Sequence, residues 1–331
     1  MKKKQKIVVV GLGSIGRRHA RLLAEREDVS IAYCDPQKEM LAIAKKEIGD
    51  YPEFYDFKSA LDYNPDIMVI ATPHHLHVEQ TLAAIKKNIH ILCEKPVSHS
   101  LEEAEKLAKE AKHYPAVVNI GYHLHFHPGL VRIKELISSG KFGNIIHAHC
   151  RVGSYITLVN SSSRYQEATE GALLMDYAHQ PDMLYWLLRR APTAVRVIAG
   201  RSGDMEFSTN PNFLSMTLAY DTPMIATVHL NYVQMPERHE YEIVGDEGWA
   251  LLDGNTGELR IGTKLHNKEF REHFPFERDQ MYKDEYDAFF DAVKGKCQPE
   301  TSAQDGLISM KIIAAALVSL NTKRSVDIKV D

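Results

Sequence analysis

A glycine-rich run is the strongest chemical signal in the chain. It follows an apolar segment typical of a strand and precedes a helix-like segment. Glycines at this spacing permit a tight turn, let backbone approach a pyrophosphate and allow a helix to pack closely on a strand, while the helix N-terminus offers N–H groups to the anion. We therefore predict a dinucleotide site formed by Gly11, Gly13, Ser14, Ile15 and Gly16.

An acidic residue, Asp35, ends the second apolar run, about 20 residues after the glycine turn. A carboxylate at this position binds both hydroxyls of the adenosine ribose and repels a 2′-phosphate. The glycine turn and Asp35 together therefore predict NAD as the cofactor. Arg17 and Arg18, next to the glycine run, leave NADP open as an alternative.

Two further strand ends bear polar side chains. Ligands of open α/β sheets bind outside the carboxyl ends of the strands, so we expect cofactor contacts there. Lys95 is held by the following proline, and proximity to a cationic nicotinamide can lower a lysine pKa into the range of a proton relay. The alternative for Glu94 and Lys95 is a solvated loop pair. The predicted contacts are Thr72, His74, His77, Glu94 and Lys95.

The stretch MDYAHQPD, residues 175–182, holds a candidate acid/base pair. Asp176 and His179 are three residues apart, which places both on one face of a helix, where a carboxylate can hold the imidazole tautomer. Asp182, three residues beyond His179, is the alternative partner, and an amphipathic helix with an incidental histidine is the alternative for the whole stretch. Pro181 cannot donate its backbone nitrogen and clashes with the carbonyl of Tyr177, so we predict a helix break near His179.

The elements that position these residues divide the chain of 331 residues into two parts. Short apolar runs alternate with amphipathic stretches as far as residue 121, which is typical of βα units around a parallel sheet. We predict an α/β Rossmann dinucleotide-binding domain over residues 1–122. Its strands are expected at 6–11, 29–34, 66–71, 90–94 and 116–121.

Beyond residue 122 the pattern changes to alternating segments broken by hairpin signals. We predict an α+β domain over 123–331 with an open, mainly antiparallel sheet, arranged as a meander from about 212 to 262. An open alternative is that the final helix packs back on the first domain. Helices are expected near 128–139, 171–188, 279–294 and 303–321.

Composition narrows the function classes. Hydrophobic residues make up 44% and charged residues 25%, as in ordinary globular proteins. A net charge of −4 and a pI near 6.5 give no basic footprint for nucleic acid. The basic start MKKKQK is followed by too short an apolar run for a signal peptide or membrane span, so we expect a cytoplasmic protein. The four scattered cysteines are expected to be reduced, mostly core residues.

These motifs, in this order and spacing, resemble the Gfo/Idh/MocA family, named for glucose–fructose oxidoreductase, inositol dehydrogenase and a rhizopine-catabolism protein. The resemblance covers essentially the whole chain. It implies an N-terminal Rossmann domain, a second domain used for dimer or tetramer contacts, and NAD(P)-dependent chemistry on sugar or cyclitol hydroxyls. It assigns substrate and cofactor contacts to Lys95 and the acid/base role to His179. Many members place a carboxylate where this chain has Met175, whereas other branches use the position of Asp176.

The histidines of GYHLHFHP, residues 121–128, depart from a related GYNLRFHP pattern and remove an arginine that could grip an anion. We expect His123 and His125 to line the substrate cleft. A metal site built from these residues with His127, His147 and His149 is the alternative, but no cysteine or carboxylate accompanies them, and we predict no metal.

The sequence thus predicts an NAD-dependent oxidoreductase that transfers hydride between nicotinamide and a secondary hydroxyl or keto group of a sugar, cyclitol or sugar derivative. His179 would take the hydroxyl proton, Asp176 would support it, and Lys95 would bind the reacting oxygen. We expect a homodimer or homotetramer and no nucleic-acid or membrane partner. The alternatives are an NADPH-dependent reductase of a keto-sugar or nucleotide sugar, and a non-catalytic NAD-sensing regulator.

Overall fold

A computed structural model describes residues 4–160, 166, 171–265 and 267–330. The chain forms two compact units, the first from Met1–His123 with Arg278–Met310, the second from Leu124–Glu277 with Lys311–Asp331. The second domain was predicted to contain all of 123–331, whereas Arg278–Met310 groups with the first unit. Aromatic residues explain this grouping, because Tyr282, Tyr286, Phe289 and Phe290 belong to the same buried cluster as the first strands.

The first unit is built on a six-stranded parallel sheet of order β3-β2-β1-β4-β5-β6. Its strands are β1 (Gln5–Val10), β2 (Val29–Cys34), β3 (Glu53–Phe54), β4 (Ile67–Ile70), β5 (His90–Glu94) and β6 (Val118–Gly121). Its first helices are α1 (Ser14–Ala24), α2 (Lys38–Glu47), α3 (Phe57–Asp62), α4 (His77–Ile85) and α5 (Leu101–Ala111). The strand order reverses between β1 and β4, which is where such folds bind ligands.

The second unit is built on a nine-stranded mixed sheet of order β14-β13-β12-β11-β7-β10-β9-β8-β15. A 3₁₀ helix (His123–Phe126) precedes its helices α6 (Pro128–Ser138), α7 (Ile156–Val159), α8 (Ala172–Asp176) and α9 (His179–Leu188). Its strands up to β14 are β7 (Ile145–Gly153), β8 (Ala194–Gly200), β9 (Phe213–Ala219), β10 (Ile225–Asn231), β11 (Arg238–Gly245), β12 (Gly248–Asp253), β13 (Glu258–Thr263) and β14 (Lys268–His273). Most of the predicted loop 159–171 lies outside the described residues.

The pairing of β7 corrects the predicted meander. β7 lies between β10 and β11, parallel to the first and antiparallel to the second, so the predicted unbroken antiparallel order is wrong. The reason lies at the end of β10 and just after it, where the carbonyls of Asn231 and Gln234 accept hydrogen bonds from the N–H groups of Ser154 and Tyr155 instead of closing a hairpin. The predicted class, an open and mainly antiparallel sheet, is confirmed.

The chain ends with α10 (Arg278–Val293), α11 (Ala303–Thr322) and β15 (Val326–Asp327). Among the described residues, α11 is the one helix long and apolar enough to cross a membrane by length and composition. Most of it is buried inside the protein, as in the core helix of a globular domain. Cys34, Cys93 and Cys150 are buried free thiols, as predicted for core residues.

Candidate functional site

The turn between β1 and α1 needs glycine at two of its three motif positions. Gly11 has φ +87°, and a Cβ built there would lie 2.7 Å from the carbonyl oxygen of Ala71. A Cβ on Gly16 would lie 1.7 Å from the carbonyl oxygen of Gly11. The protein itself therefore excludes side chains from the first and third positions.

Gly13 differs from the other two glycines. Its φ of −61° suits any residue, and a Cβ built there would meet no atom within 4 Å. Gly13 precedes α1 and caps it with no side chain, while Ser14 is exposed and Ile15 half-buried at the first helical positions. An open approach in front of a helix N-terminus fits a pyrophosphate, which gains its hydrogen bonds from backbone N–H groups.

The carboxylate of Asp35 is fixed by backbone. The side chain is 7% exposed at the end of β2, where its two oxygens accept hydrogen bonds from the N–H groups of Leu12 and Gln37, each at 2.8 Å. Since Leu12 lies within the glycine turn, the acid and the turn form one rigid arrangement. A carboxylate already held in place can bind two ribose hydroxyls without loss of side-chain freedom.

Both neighbouring arginines have carboxylate partners in the same unit. Arg17 donates to Glu47 at 3.0 Å and to the carbonyl of Leu12 at 2.9 Å. Arg18 lies 3.4 Å from a carboxylate oxygen of Asp279. The guanidinium groups are therefore engaged with acids.

The end of β4 is tied to the Glu94-Lys95-Pro96 segment through His77. This imidazole is buried, with Nε2 at 2.8 Å from the carbonyl oxygen of Thr72 and Nδ1 at 2.9 Å from that of Pro96. Burial lowers its pKa, although both carbonyl oxygens favour the protonated form. His77 thus lies between the two loops, and the hydroxyl of Thr72 donates a further hydrogen bond to Gln80 at 2.7 Å.

His74, in the same loop after β4, is half-buried. Burial lowers its pKa to about 4, with smaller contributions from the nearby charges of His77, His99, His75 and Lys95. A neutral imidazole at neutral pH can donate one hydrogen bond and accept another.

Glu94 ends β5 and is buried, and Lys95 follows it and is half-buried. One oxygen of Glu94 lies 2.9 Å from Nε2 of His19, and the other accepts the N–H of Lys95 at 3.2 Å. Burial alone would raise the pKa of Glu94, but the hydrogen bond from His19 and the charges of His19, His123 and Lys95 outweigh it and bring the value to about 2. Glu94 is therefore ionised at neutral pH.

His123 stacks on Tyr282 with ring centroids 4.4 Å apart, and its burial lowers its pKa to about 3. His19 and Tyr286, which hydrogen-bond to each other behind Glu94, were not predicted from the sequence. His19 follows Gly16 by three residues on the inner face of α1, a signal that periodicity gives for any core residue. Tyr286 gives no signal, because it lies 267 residues from His19.

The helix break predicted in the second unit is confirmed. α8 ends at Asp176 and α9 begins at His179, with Tyr177 and Ala178 between them. Pro181 falls in the first turn of α9, where a missing N–H costs little, and the N–H of Gln180 bonds to the carbonyl of Tyr177. His179 is buried at the first position of α9.

Asp176 and Asp182 have different partners. Asp176 accepts hydrogen bonds from the hydroxyl of Tyr232 and from Gln166, the latter at 3.1 Å. Burial and the Asp176 charge raise the pKa of Tyr232, so the phenol stays protonated and donates. Asp182 is 1% exposed and lies 2.6 Å from Nε2 of His125.

His125 is also held by an aromatic stack. The centroid of its ring lies 4.5 Å from that of Trp186, and the Nζ atom of Lys134 lies 3.7 Å from the Trp186 ring centroid.

His127 caps α6, because its Nδ1 accepts the N–H of Gly129 at 3.1 Å, and burial lowers its pKa to about 4. His149 pairs with Thr227 at 2.8 Å, and within the described ranges no three His, Cys, Asp or Glu side chains form a group that could hold a metal.

Family models match both halves of the chain. A model described as "Oxidoreductase family, NAD-binding Rossmann fold" matches residues 5–122. A second, "Oxidoreductase family, C-terminal alpha/beta domain", matches residues 134–328. The chain belongs to the Gfo/Idh/MocA oxidoreductase family. The resemblance, the Rossmann domain and the oxidoreductase class expected from sequence are therefore confirmed.

Named relatives share these domains at low identity. The inositol 2-dehydrogenase of Pseudomonas fluorescens is 26% identical over 312 residues, which is 91% of this chain and 90% of that protein. The 1,5-anhydro-D-fructose reductase of Ensifer adhaerens is 26% identical over 271 residues, 81% of each chain. A crystal structure of an oxidoreductase from Agrobacterium radiobacter with NAD⁺, L-tartaric acid and magnesium has a TM-score of 0.89 at 17% identity, covering 98% of this chain and 99% of that one. The last shows the shared fold alone.

Proposed function

We propose that this Gfo/Idh/MocA chain is an NAD-dependent dehydrogenase for a secondary hydroxyl of a sugar, cyclitol or sugar derivative. The observation that carries the proposal is the fixed carboxylate of Asp35 beside the open approach at Gly13. Together they fit a dinucleotide with a free ribose 2′-hydroxyl. The named activities of the two sequence relatives, on inositol and on anhydrofructose, support the substrate class.

The arginines support NAD over NADP. A 2′-phosphate needs a cation to receive it, and Arg17 and Arg18 are engaged with Glu47 and Asp279. Asp35 would in addition repel the phosphate. Gly11, Gly13, Ser14, Ile15 and Gly16 would hold the pyrophosphate, and Thr72, His74 and His77 would border the nicotinamide half.

Bound NAD would supply the acceptor for the hydride that leaves the substrate carbon. His179 is the proposed base that takes the hydroxyl proton. Its place at the first position of α9, directly after the break and three residues from Asp176, supports this role. Lys95 is the proposed donor to the reacting oxygen.

Asp176 is the proposed supporting carboxylate. Asp182 lies 2.6 Å from Nε2 of His125, whereas Asp176 ends α8 three residues before His179, on the other side of the helix break. Tyr232 and Gln166 would fix the orientation of Asp176. We assign His123 and His125 to the substrate side, where imidazole rings suit the hydrogen bonding of hydroxyls.

The assembly and compartment are proposed with the function. The outer face of the second-unit sheet exposes Ile198 and Ile225, apolar side chains that a second copy of the chain could cover. We propose a homodimer or homotetramer acting in the cytoplasm on a small-molecule substrate. Light scattering of the purified chain measures the assembly directly.

The test is a cofactor and substrate screen. Purified protein is titrated with NADH and NADPH, then assayed with NAD⁺ and NADP⁺ on a panel of inositols, anhydro-sugars and nucleotide sugars. The proposal expects tighter NADH binding and turnover of at least one polyol. Tight NADH binding with no turnover on the whole panel would favour a cofactor-sensing protein.

The reverse direction has one observation in its favour, the relative named as a reductase. A reductase of a keto-sugar would use Lys95 and His179 as donors to the carbonyl oxygen. Clear preference for NADPH, with reduction of a keto-sugar faster than any polyol oxidation, would replace the dehydrogenase proposal and the role of Asp35.

A further inference from the structure

A buried chain of polar side chains runs behind Lys95 within the first unit. The hydroxyl of Tyr286 on α10 bonds to Nδ1 of His19 on α1. Nε2 of His19 lies 2.9 Å from Glu94, whose other oxygen accepts the N–H of Lys95. The three side chains that begin this chain are all buried.

Chemistry sets the direction of the hydrogen bonds. Burial and nearby acids raise the pKa of Tyr286, so its phenol is the donor to Nδ1. Glu94 is ionised and can only accept, so Nε2 of His19 is the donor to it. With Nδ1 as acceptor and Nε2 as donor, His19 satisfies both partners at once.

The surroundings are shaped around Glu94. Gly121 pairs with it across the sheet, and a Cβ there would lie 3.4 Å from the Glu94 carboxyl. Glu285 is buried close by, and burial together with the Glu94 charge raises the pKa of Glu285 well above its ordinary value. The site thus keeps one glutamate charged and the other neutral, and His19 donates a hydrogen bond to the charged one.

We propose that His19 is a positioning residue that fixes Glu94 and, through it, the Lys95 segment against the dinucleotide-binding helix. The catalytic use of Lys95 rests on the proposed function. Because α1 begins at the glycine turn, His19 also links the cofactor-binding helix to the residue that would bind the reacting oxygen. A misplaced Lys95 would lower kcat by roughly 10- to 100-fold with little change in cofactor affinity.

Two amide variants separate the contacts of His19. In His19→Gln the amide nitrogen can reach the position of Nε2 and keep the bond to Glu94, whereas in His19→Asn it reaches only that of Nδ1. The expected result is a kcat near wild type for His19→Gln and a kcat lower by roughly 10- to 100-fold for His19→Asn. The NADH dissociation constant should be unchanged in both variants. The emission of bound NADH, which reports the nicotinamide pocket without turnover, should change only in His19→Asn.

Equal loss in both variants, wild-type behaviour in both, or a loss expressed as weaker NADH binding would overturn the proposal. Tyr282→Phe is the matched control, because the buried ring of Tyr282 packs edge-on against His19, with ring centroids 5.4 Å apart. This variant should leave kcat unchanged. If the wild type binds NADH but oxidises no polyol, the proposed function fails, and the emission of bound NADH alone decides the role of His19.

Discussion

The glycine turn of the first unit and the helix break of the second obtain their geometry in different ways. In the turn, backbone groups fix the functional side chain, since Asp35 is held by Leu12 and Gln37. At the break, side chains from remote segments fix one another, as Asp176 is held by Tyr232 across 56 residues. A local motif therefore defines the predicted nucleotide site at the glycine turn, whereas tertiary packing defines the surroundings of His179.

The largest effect is expected at the helix break. His179→Ala should lower kcat by about 10²- to 10⁴-fold, because it removes the base that accepts the hydroxyl proton. NADH affinity should stay at the wild-type value, since the glycine turn is untouched. Steady-state kinetics with the best polyol and fluorescence titration with NADH measure the two quantities.

His113→Ala is the control for this variant, because His113 is an exposed histidine of the first unit. It should behave as wild type in both assays. A His179→Ala enzyme with wild-type kcat would show that the break holds an incidental histidine.

The two buried glutamates of the first unit should have opposite effects on stability. The pKa of Glu94 is about 2 in the folded chain against an ordinary 4.5, so its stabilisation is complete above pH 4.5 and is lost as pH falls towards 2. Glu94→Gln should therefore lower the free energy of unfolding at pH 7 by up to about 3 kcal/mol.

The pKa of Glu285 is raised instead, so its contribution is complete below the ordinary pKa and is lost as pH rises above it. Glu285→Gln should stabilise the chain at pH 8 and have little effect at pH 4. Denaturant unfolding of both variants across this range measures the signs. Destabilisation by Glu285→Gln at pH 8 would contradict the assignment of one charged and one neutral glutamate.

Asp35→Asn tests whether the charge of Asp35 discriminates NADH from NADPH at the nucleotide site. It keeps an acceptor for the ribose but loses the charge, so NADH binding should weaken by about 10-fold while NADPH binding weakens less or improves. The ratio of the two dissociation constants is the measurement. An unchanged ratio would mean that Asp35 does not discriminate the 2′-position.

Gly13→Ala and Gly16→Ala form a matched pair with the smallest expected change in affinity. A Cβ at position 13 meets no protein atom, so Gly13→Ala should keep the melting temperature and weaken NADH binding by up to about 10-fold. A Cβ at position 16 meets the Gly11 carbonyl, so Gly16→Ala should lower the melting temperature. Similar melting temperatures for both variants would contradict the claim that position 13 is open to a ligand whereas position 16 is filled by the protein itself.

The sequence was sufficient for the βα units, the glycine turn and the position of the helix break. These features depend on periodicity, on glycine and on Pro181, each of which acts within a few residues. The two-residue strand β3 was missed because so short a segment shows no period. The insertion of β7 between β10 and β11 was missed because strand alternation does not specify which strands are neighbours.

Partners within the candidate site were predicted less well than the residues themselves. Nothing near His125 in the sequence indicates Asp182, and nothing near His19 indicates Tyr286. The carbonyl partners of His77, at Thr72 and Pro96, were likewise not indicated by the sequence. Long-range hydrogen bonds of this kind arise from the tertiary fold, which local patterns do not encode.

Transfer of deuterium from a labelled polyol tests the central claim most directly. The best substrate of the panel, deuterated at its carbon-bound positions, is incubated with NAD⁺, and the NADH formed is analysed by mass spectrometry. The account predicts one deuterium in each NADH with the wild type and at most a trace of NADH with His179→Ala. NADH without deuterium, or equal yields from the two enzymes, would contradict it.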